Sequence, residues 1–235
     1  VRRPRIVVVG AGMGGLAAAI DCAARGAAVT IVDKEPSPGG KARSTIVGGR
    51  PVEGGPTVFT MRWIFEGLFA DAGASLAERL ALTPASVLAR HAWTSGGRLD
   101  LHASDDASAE AIAAFAGRRE ADGFRRFLAE ARAIHDTLAG PFIAAERPGP
   151  LDLALRVGLG RLGALWRTRP FARMAGALAG HFADQRLRQL FGRYATYCGS
   201  SPYLAPATLM LVAAVEQDGV ALVEGGIGGL ARAMG

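Results

Sequence analysis

The sequence predicts an α/β chain, a βαβ unit followed by a largely helical region. Three observations predict it. Arg5-Ile6-Val7-Val8-Val9 is a short β-branched run without alternation, the pattern of a central parallel strand covered on both faces. Gly10, Gly12 and Gly15 follow in G-x-G-x-x-G spacing and open an Ala- and Leu-rich segment. From Ser104 to about Arg193 apolar residues recur at three- and four-residue steps, the texture of amphipathic helices.

The glycines have separate tasks. Gly10 lets the backbone turn sharply, Gly12 lacks a Cβ so that a pyrophosphate can approach, and Gly15 lets helix and strand pack closely. The helix runs from Met13 to about Arg25, with Gly26 as its stop. The first N–H groups, at Met13, Gly14 and Gly15, lack internal partners and carry the positive end of the dipole, which favours a phosphate. Ala28-Val29-Thr30-Ile31-Val32 reads as a second strand ending at Asp33. That is close to the separation of about 20 residues expected for an acid on a ribose hydroxyl. Asp rather than Arg there argues against a 2′-phosphate. The order is that of a Rossmann-like dinucleotide-binding unit.

Composition bounds the rest. The chain has 235 residues, of which 50% are hydrophobic, enough for a core in one or two domains. The net charge of +6 comes almost wholly from arginine, since Lys34 and Lys41 are the only lysines. No basic stripe interleaved with aromatics and no nucleic-acid motif accompanies it, so no nucleic-acid partner is expected, and an anionic membrane surface suits the charge better. Cys22 and Cys198 stand far apart, which is no disulfide framework and fits a reducing compartment. Cys22, in the Ala-rich helix, is expected to be a small buried thiol. His91, His102, His135 and His181 are scattered singly without metal-ligand spacing. No run of 18 uninterrupted apolar residues exists to span a bilayer, and no signal peptide is expected before the first strand.

Further along, Ser44 to Val52 reads as a hairpin turning at Gly48-Gly49. Beyond it, Gly54 and Gly55 beside Pro56 and Thr57 let the main chain come close to a flat ligand. Trp63 to Ala70 has helical spacing, and its aromatics suit either ordinary core or the wall of an apolar tunnel. Val87–Ala92 and Arg98–His102 flank Thr94-Ser95-Gly96-Gly97 as a second hairpin. Phe124, Phe127, Leu128, Ala131, Ile134 and Leu138 mark an amphipathic helix ended by Gly140-Pro141. A break is expected at Glu146-Arg147-Pro148-Gly149-Pro150. Leu151 to His181 then mixes leucines, Trp166 and Phe171 with Arg156, Arg161, Arg167, Arg169 and Arg173. Such a segment suits a membrane interface or a solvated face over a core. Tyr194, Tyr197 and Tyr203 surround a Gly-Ser-Pro loop that leads to a new helix through Ala207 to Val215.

Gly39-Gly40-Lys41-Ala42-Arg43, shortly after the acid, resembles the flavoprotein family that includes amine oxidases and carotenoid desaturases. The segment Gly55-Pro56-Thr57-Val58-Phe59-Thr60-Met61 sharpens the resemblance, although Glu53 stands where many relatives have Asp. The block from Arg186 to Tyr203 and Val223-Glu224-Gly225-Gly226-Ile227-Gly228-Gly229-Leu230 is similar to the 1-hydroxycarotenoid 3,4-desaturases of purple bacteria, also called methoxyneurosporene dehydrogenases. So are the segments around Arg90-His91-Ala92-Trp93 and Gly140-Pro141-Phe142. The resemblance covers nearly the whole chain.

This resemblance implies a glutathione-reductase-type FAD-binding fold with an inserted α+β helical domain. The expected division is 1–68 with 206–235 for the FAD-binding domain, incomplete, and 69–205 for the substrate domain. FAD would be held by Gly10, Gly12, Met13, Gly14, Gly15, Asp33, Lys34, Gly40, Lys41, Gly55, Pro56 and Thr57. The activity implied is desaturation of a lipophilic acyclic hydroxy- or methoxy-carotenoid by a cytoplasmic protein attached peripherally to the inner or photosynthetic membrane. No catalytic residue is named by it. Members of that family run to roughly twice this length, so the chain is expected to be an N-terminal portion whose partner is its own missing half. A phytoene desaturase, another amine-oxidase-like flavoenzyme and a non-catalytic flavin-binding fragment are the alternatives. A plain NAD-dependent dehydrogenase is disfavoured by Gly39-Gly40.

Overall fold

The computed structural model describes residues 2–145, 149–158, 160 and 162–235, with the backbone alone at Pro150 and Leu162. Glu146, Arg147 and Pro148 of the expected break, and Arg161, lie outside the described residues. The chain divides into two compact units, one running to Ala85 and resuming over Gly219–Gly235, the other Ser86–Asp218. The sequence puts these breaks earlier, at 68/69 and 205/206. By packing, Phe69, Leu76 and Leu80 join the core of Leu16 and Leu230, whereas Ala207, Met210, Ala213 and Ala214 join that of Phe127.

The first unit opens with β1 (Arg5–Val9), α1 (Met13–Ala24) and β2 (Ala28–Val32). The strands pair in parallel from Arg5 opposite Ala28 to Val9 opposite Val32. Leu16 and Ala19 are the buried face of α1, and Gly26, at φ 89°, takes the left-handed turn that ends it. The hairpin follows as β3 (Ser44–Val47) and β4 (Arg50–Glu53), with Gly48 and Gly49 between them. Then come α2 (Arg62–Asp71), α3 (Leu76–Arg79) and β5 (Leu82–Pro84).

One expectation about β1 is corrected. It reads as a strand covered on both faces, yet Val7 is 64% and Val9 84% exposed. Among the described residues its only ladder partner is β2, which leaves its other edge unpaired, and the exposure of Val7 and Val9 leaves their face open. Cys22 is half-buried rather than buried.

The second unit begins with the antiparallel pair β6 (Val87–Ala92) and β7 (Arg98–His102). Ser104 caps α4 (Asp105–Ala116) by accepting the Ala107 N–H. The long α5 (Arg118–Leu138) buries Phe124, Phe127, Leu128, Ala131, Ile134 and Leu138, the residues its periodicity picks out. Instead of stopping, the chain continues through Gly140-Pro141 as a π turn, Ala139–Ile143. Next are α6 (Pro150–Val157), α7 (Leu162–Arg167), α8 (Met174–His181), α9 (Gln185–Gly192), a 3-10 turn Arg193–Cys198 and α10 (Leu211–Gln217).

Phe127, Phe182 and Phe191 meet at the centre of this unit, with ring centroids 4.8 to 5.6 Å apart. Each is at most 1% exposed, and burial of such a side chain is worth about 1.5–3 kcal/mol. Gly123 lets α5 approach the end of α8, since a Cβ there would fall 2.2 Å from the His181 carbonyl.

The chain then returns to the first unit. There β8 (Ala221–Val223) pairs antiparallel with β5, and α11 (Ile227–Met234) buries Ile227, Leu230 and Ala231. Among the described residues no helix is long and apolar enough to cross a membrane.

Candidate functional site

The start of α1 is built for close approach. Gly12 is its N-cap, with no side-chain cap and no acid in the first turn, so the first N–H groups face outward with the positive dipole end. Gly10, at φ 105°, makes the turn, and its N–H bonds the Val32 carbonyl at 2.7 Å. A Cβ on Gly15 would fall 1.9 Å from the Gly10 carbonyl oxygen, whereas one on Gly14 would meet nothing within 4 Å. Strand, turn and helix therefore pack with no room for a side chain on the inside and open space outside.

Asp33 closes the far side of this turn. Its Oδ2 accepts the Ala11 N–H at 2.5 Å and its Oδ1 the Glu35 N–H at 2.8 Å. These bonds, the Glu35 N–H first and Ala11 second, hold its carboxyl below the usual 3.8. The carboxylate is therefore charged and fixed beside the glycine turn.

A second segment reaches the same place. Gly39 donates its N–H to the Ala11 carbonyl at 2.8 Å and forms a bridge with Gly12. Gly40, at φ 58°, stands so near that a Cβ would lie 3.1 Å from Gly12 Cα. A third segment is locked to the second: Gly54 donates to the Arg43 carbonyl at 2.9 Å, and a Cβ on Gly55 would fall 1.9 Å from the Lys41 carbonyl oxygen. Beside them opens a cleft of about 210 Å³ lined by Met13, Ala42, Pro56, Phe59, Ile227 and Leu230.

The structure thus brings together Gly10, Gly12, Met13, Gly14, Gly15, Asp33, Gly40, Lys41, Gly55 and Pro56. Lys34 and Thr57 lie in the same segments with exposed side chains, and the Lys34 backbone N–H and charge also act on the Asp33 carboxylate. Sequence reasoning missed Gly39 as the residue that bridges to Gly12, although the Gly39-Gly40 pair was its signal. It also missed Glu53, whose carboxylate fills the space a Cβ on Gly226 would need and whose Oε2 is buried without a hydrogen-bond partner.

A parallel βαβ turn of close-packed glycines, an uncapped helix start and an ionised acid after the second strand fit a dinucleotide and define a Rossmann-like dinucleotide-binding unit. The family model described as an NAD(P)-binding Rossmann-like domain matches residues 8–68. More particularly, the chain is 53% identical over 234 residues to the hydroxyneurosporene desaturase of Rubrivivax gelatinosus, covering 99% of this chain and 45% of that protein. It is 45% identical over 233 residues to the hydroxyneurosporene desaturase of Cereibacter sphaeroides, covering 98% and 46%. With the phytoene dehydrogenase of Streptomyces griseus it shares 38% over 231 residues, covering 97% and 45%. The chain spans about half the length of the curated relatives it matches.

Among solved structures, putrescine oxidase bound to putrescine aligns with a TM-score of 0.61 at 17% identity, over 100% of this chain and 49% of that one. Rab GDI from Plasmodium falciparum aligns with a TM-score of 0.56 at 12% identity, over 99% and 56%. At such identities the likeness is one of fold.

Proposed function

We propose that this chain is the N-terminal, FAD-binding part of a desaturase that removes two hydrogens from adjacent saturated carbons of an acyclic hydroxy- or methoxy-carotenoid, a C3–C4 desaturation. The observation that carries the reading is 53% identity along 99% of the chain to a hydroxyneurosporene desaturase. FAD rather than NAD is supported by the second glycine segment, which closes on Gly12 and adds a wall that a bare βαβ unit lacks.

The helix start at Met13, Gly14 and Gly15, with Gly12 and Gly40, would hold the pyrophosphate. Asp33, already ionised, would accept a ribose hydroxyl, with Lys34 and Lys41 lending positive charge beside the phosphates. Gly55, Pro56 and Thr57 would border the flavin. When bound, the flavin supplies the acceptor for a hydride. The chain's own part is to orient the cofactor and keep water from the reacting carbons. The first unit would take the nucleotide role and the second, Ser86–Asp218, the substrate role.

The rest of the longer protein would cover the exposed Val7 and Val9 and the free edge of β1. A peripheral membrane site is supported by exposed Leu151, Leu155, Trp166 and Phe171 interspersed with Arg156, Arg167 and Arg169. That setting suits a cytoplasmic protein whose substrate is dissolved in lipid.

The test is to purify the longer protein that contains this chain and assay it on hydroxyneurosporene, phytoene and putrescine. The expected result is bound FAD and desaturation of the hydroxylated carotenoid. Absence of bound flavin, or turnover of putrescine alone, would sink the reading.

A further inference from the structure

The second unit carries an open groove of about 930 Å³, within the range of about 300–1,000 Å³ usual for small-molecule sites. Its apolar lining includes Leu178, Pro202, Trp93 and Tyr203, and among the described residues no acid lines it. Two stretches far apart in sequence supply most of its wall. Trp93, Thr94 and Ser95 come from the turn after β6, and the run of lining residues from Gln185 to Tyr203 from α9 and the turns after it. These are two of the segments, Arg90-His91-Ala92-Trp93 and Arg186 to Tyr203, that resemble the hydroxycarotenoid desaturases, whereas the glycine segments resemble flavoproteins more widely. The fold brings the more particular segments to one groove.

One side of this groove is rigid. The Trp93 ring stacks on Phe115 with centroids 5.1 Å apart, and the Arg186 guanidinium lies 4.0 Å from the centre of the same Phe115 ring. Trp93 donates its Nε1–H to Gln189 Oε1 at 2.9 Å. An indole N–H only donates, so it fixes which end of the amide it meets. Gln189 Nε2 is left with two N–H groups and no partner among the described residues. Gln189 is exposed and lines the groove, so these donors are open to a ligand there. The arginines of the wall are engaged elsewhere: Arg186 with Asp184 at 2.6 Å, Arg193 with Glu216 at 2.7 Å and Arg188 with the Phe182 carbonyl at 2.7 Å. An apolar lining with one oriented neutral donor suits an uncharged, mostly apolar molecule that carries an acceptor oxygen.

We propose that this groove binds the oxygen-bearing end of the substrate, with Gln189 Nε2 donating to that oxygen and Trp93 holding the amide in place. The inference rests on the carotenoid reading above and deepens it. Hydroxyl and methoxy oxygens both accept a hydrogen bond, so an amide N–H serves either. A plain hydrocarbon end offers no acceptor. The groove therefore favours both oxygenated ends over the hydrocarbon and hardly separates the two from each other. Gln189 sets specificity, and Trp93 positions it.

The experiment uses the longer protein and measures kcat/KM on hydroxyneurosporene, methoxyneurosporene and neurosporene. Gln189→Leu removes the donor. Both oxygenated substrates should lose about fivefold against neurosporene, carried by KM, the size of one neutral hydrogen bond. Gln189→Glu keeps an oxygen for the Trp93 N–H but, ionised, has acceptors alone. A hydroxyl end still binds by donating its own proton, and a methoxy end has none to give. The methoxy-to-hydroxy ratio should therefore fall about fivefold or more. Lost packing would not change that preference, so this variant decides the matter if the Leu variant does not fold. Unchanged ratios in both variants, or an equal loss on all three substrates, overturn the proposal. So does an unmodified protein that desaturates all three equally well, and the functional reading then stands. If it desaturates none of them, the functional reading falls and this inference falls with it.

Discussion

In the first unit Gly12, Gly39 and Gly40 come within contact of one another because none has a side chain. In the second, Phe127, Phe182 and Phe191 meet because each has a large one. The first unit makes its site from backbone groups and leaves a strand face with Val7 and Val9 open. The second closes its core and makes its polar cluster from side chains far apart in sequence. Main-chain donors fixed by glycine turns can hold a cofactor shared by many reactions.

The largest break in this contrast should come from Phe127→Ala. It removes the centre of the second unit's core and should cost about 3–5 kcal/mol in urea denaturation. Hydrogen exchange should show the loss in α5, α8 and α9 and spare β1 and β2. Equal loss in both units would mean that they are not separate cores.

Glu216→Gln comes next. It keeps the shape but leaves the Arg193 charge, 24% exposed, without its partner, and should cost about 3 kcal/mol of stability. A cost below about 0.5 kcal/mol, the surface range, would mean the pair is solvated.

In the first unit, Gly15→Ala drives a Cβ to 1.9 Å from the Gly10 carbonyl oxygen. Dinucleotide affinity should fall by about tenfold or more as the turn shifts off the helix, with the melting of the second unit unmoved. Calorimetric titration reads the first and near-UV dichroism the second.

The effect of pH is smaller. The folded carboxyl of Asp33 lies below 3.8, so the stability it contributes is complete above that value and lost as pH falls through the lower folded one. Carbon-13 NMR of the carboxyl should show this acid titrating below an unperturbed aspartate. Titration at or above 3.8 would mean that the bonds from Ala11 and Glu35 are not made.

The smallest effect belongs to Val9→Thr. With Val9 84% exposed, it should change the stability of this chain by no more than about 0.5 kcal/mol. In the longer protein it should cost more if another segment covers that face, and the difference between the two measurements is the sharper result.

The first unit was legible in the sequence because its signals are local. Strand, glycine turn, helix, strand and acid follow one another within 33 residues, and each has a backbone reason. The buried face of α5 was legible for the same reason, since a 3.6-residue period needs no knowledge of its neighbours. The open face of β1 was not, because an apolar run says that a strand will be covered and not by what. Nor was the cluster of Arg193, Tyr194 and Glu216. Its members come from a 3-10 turn and α10, and nothing in the spacing of 193 and 216 announces that they meet.

The first unit is also discontinuous, and on the ribosome that has a cost in time. Its closing pieces, β8 and α11, are translated only after all of Ser86–Asp218 has been made. At about 5–20 residues per second, the nascent β1–α1–β2 layer waits on the order of ten seconds for the helix that covers it. For that interval its apolar face stands without that cover, while the inserted unit, whose segments arrive together, can finish first.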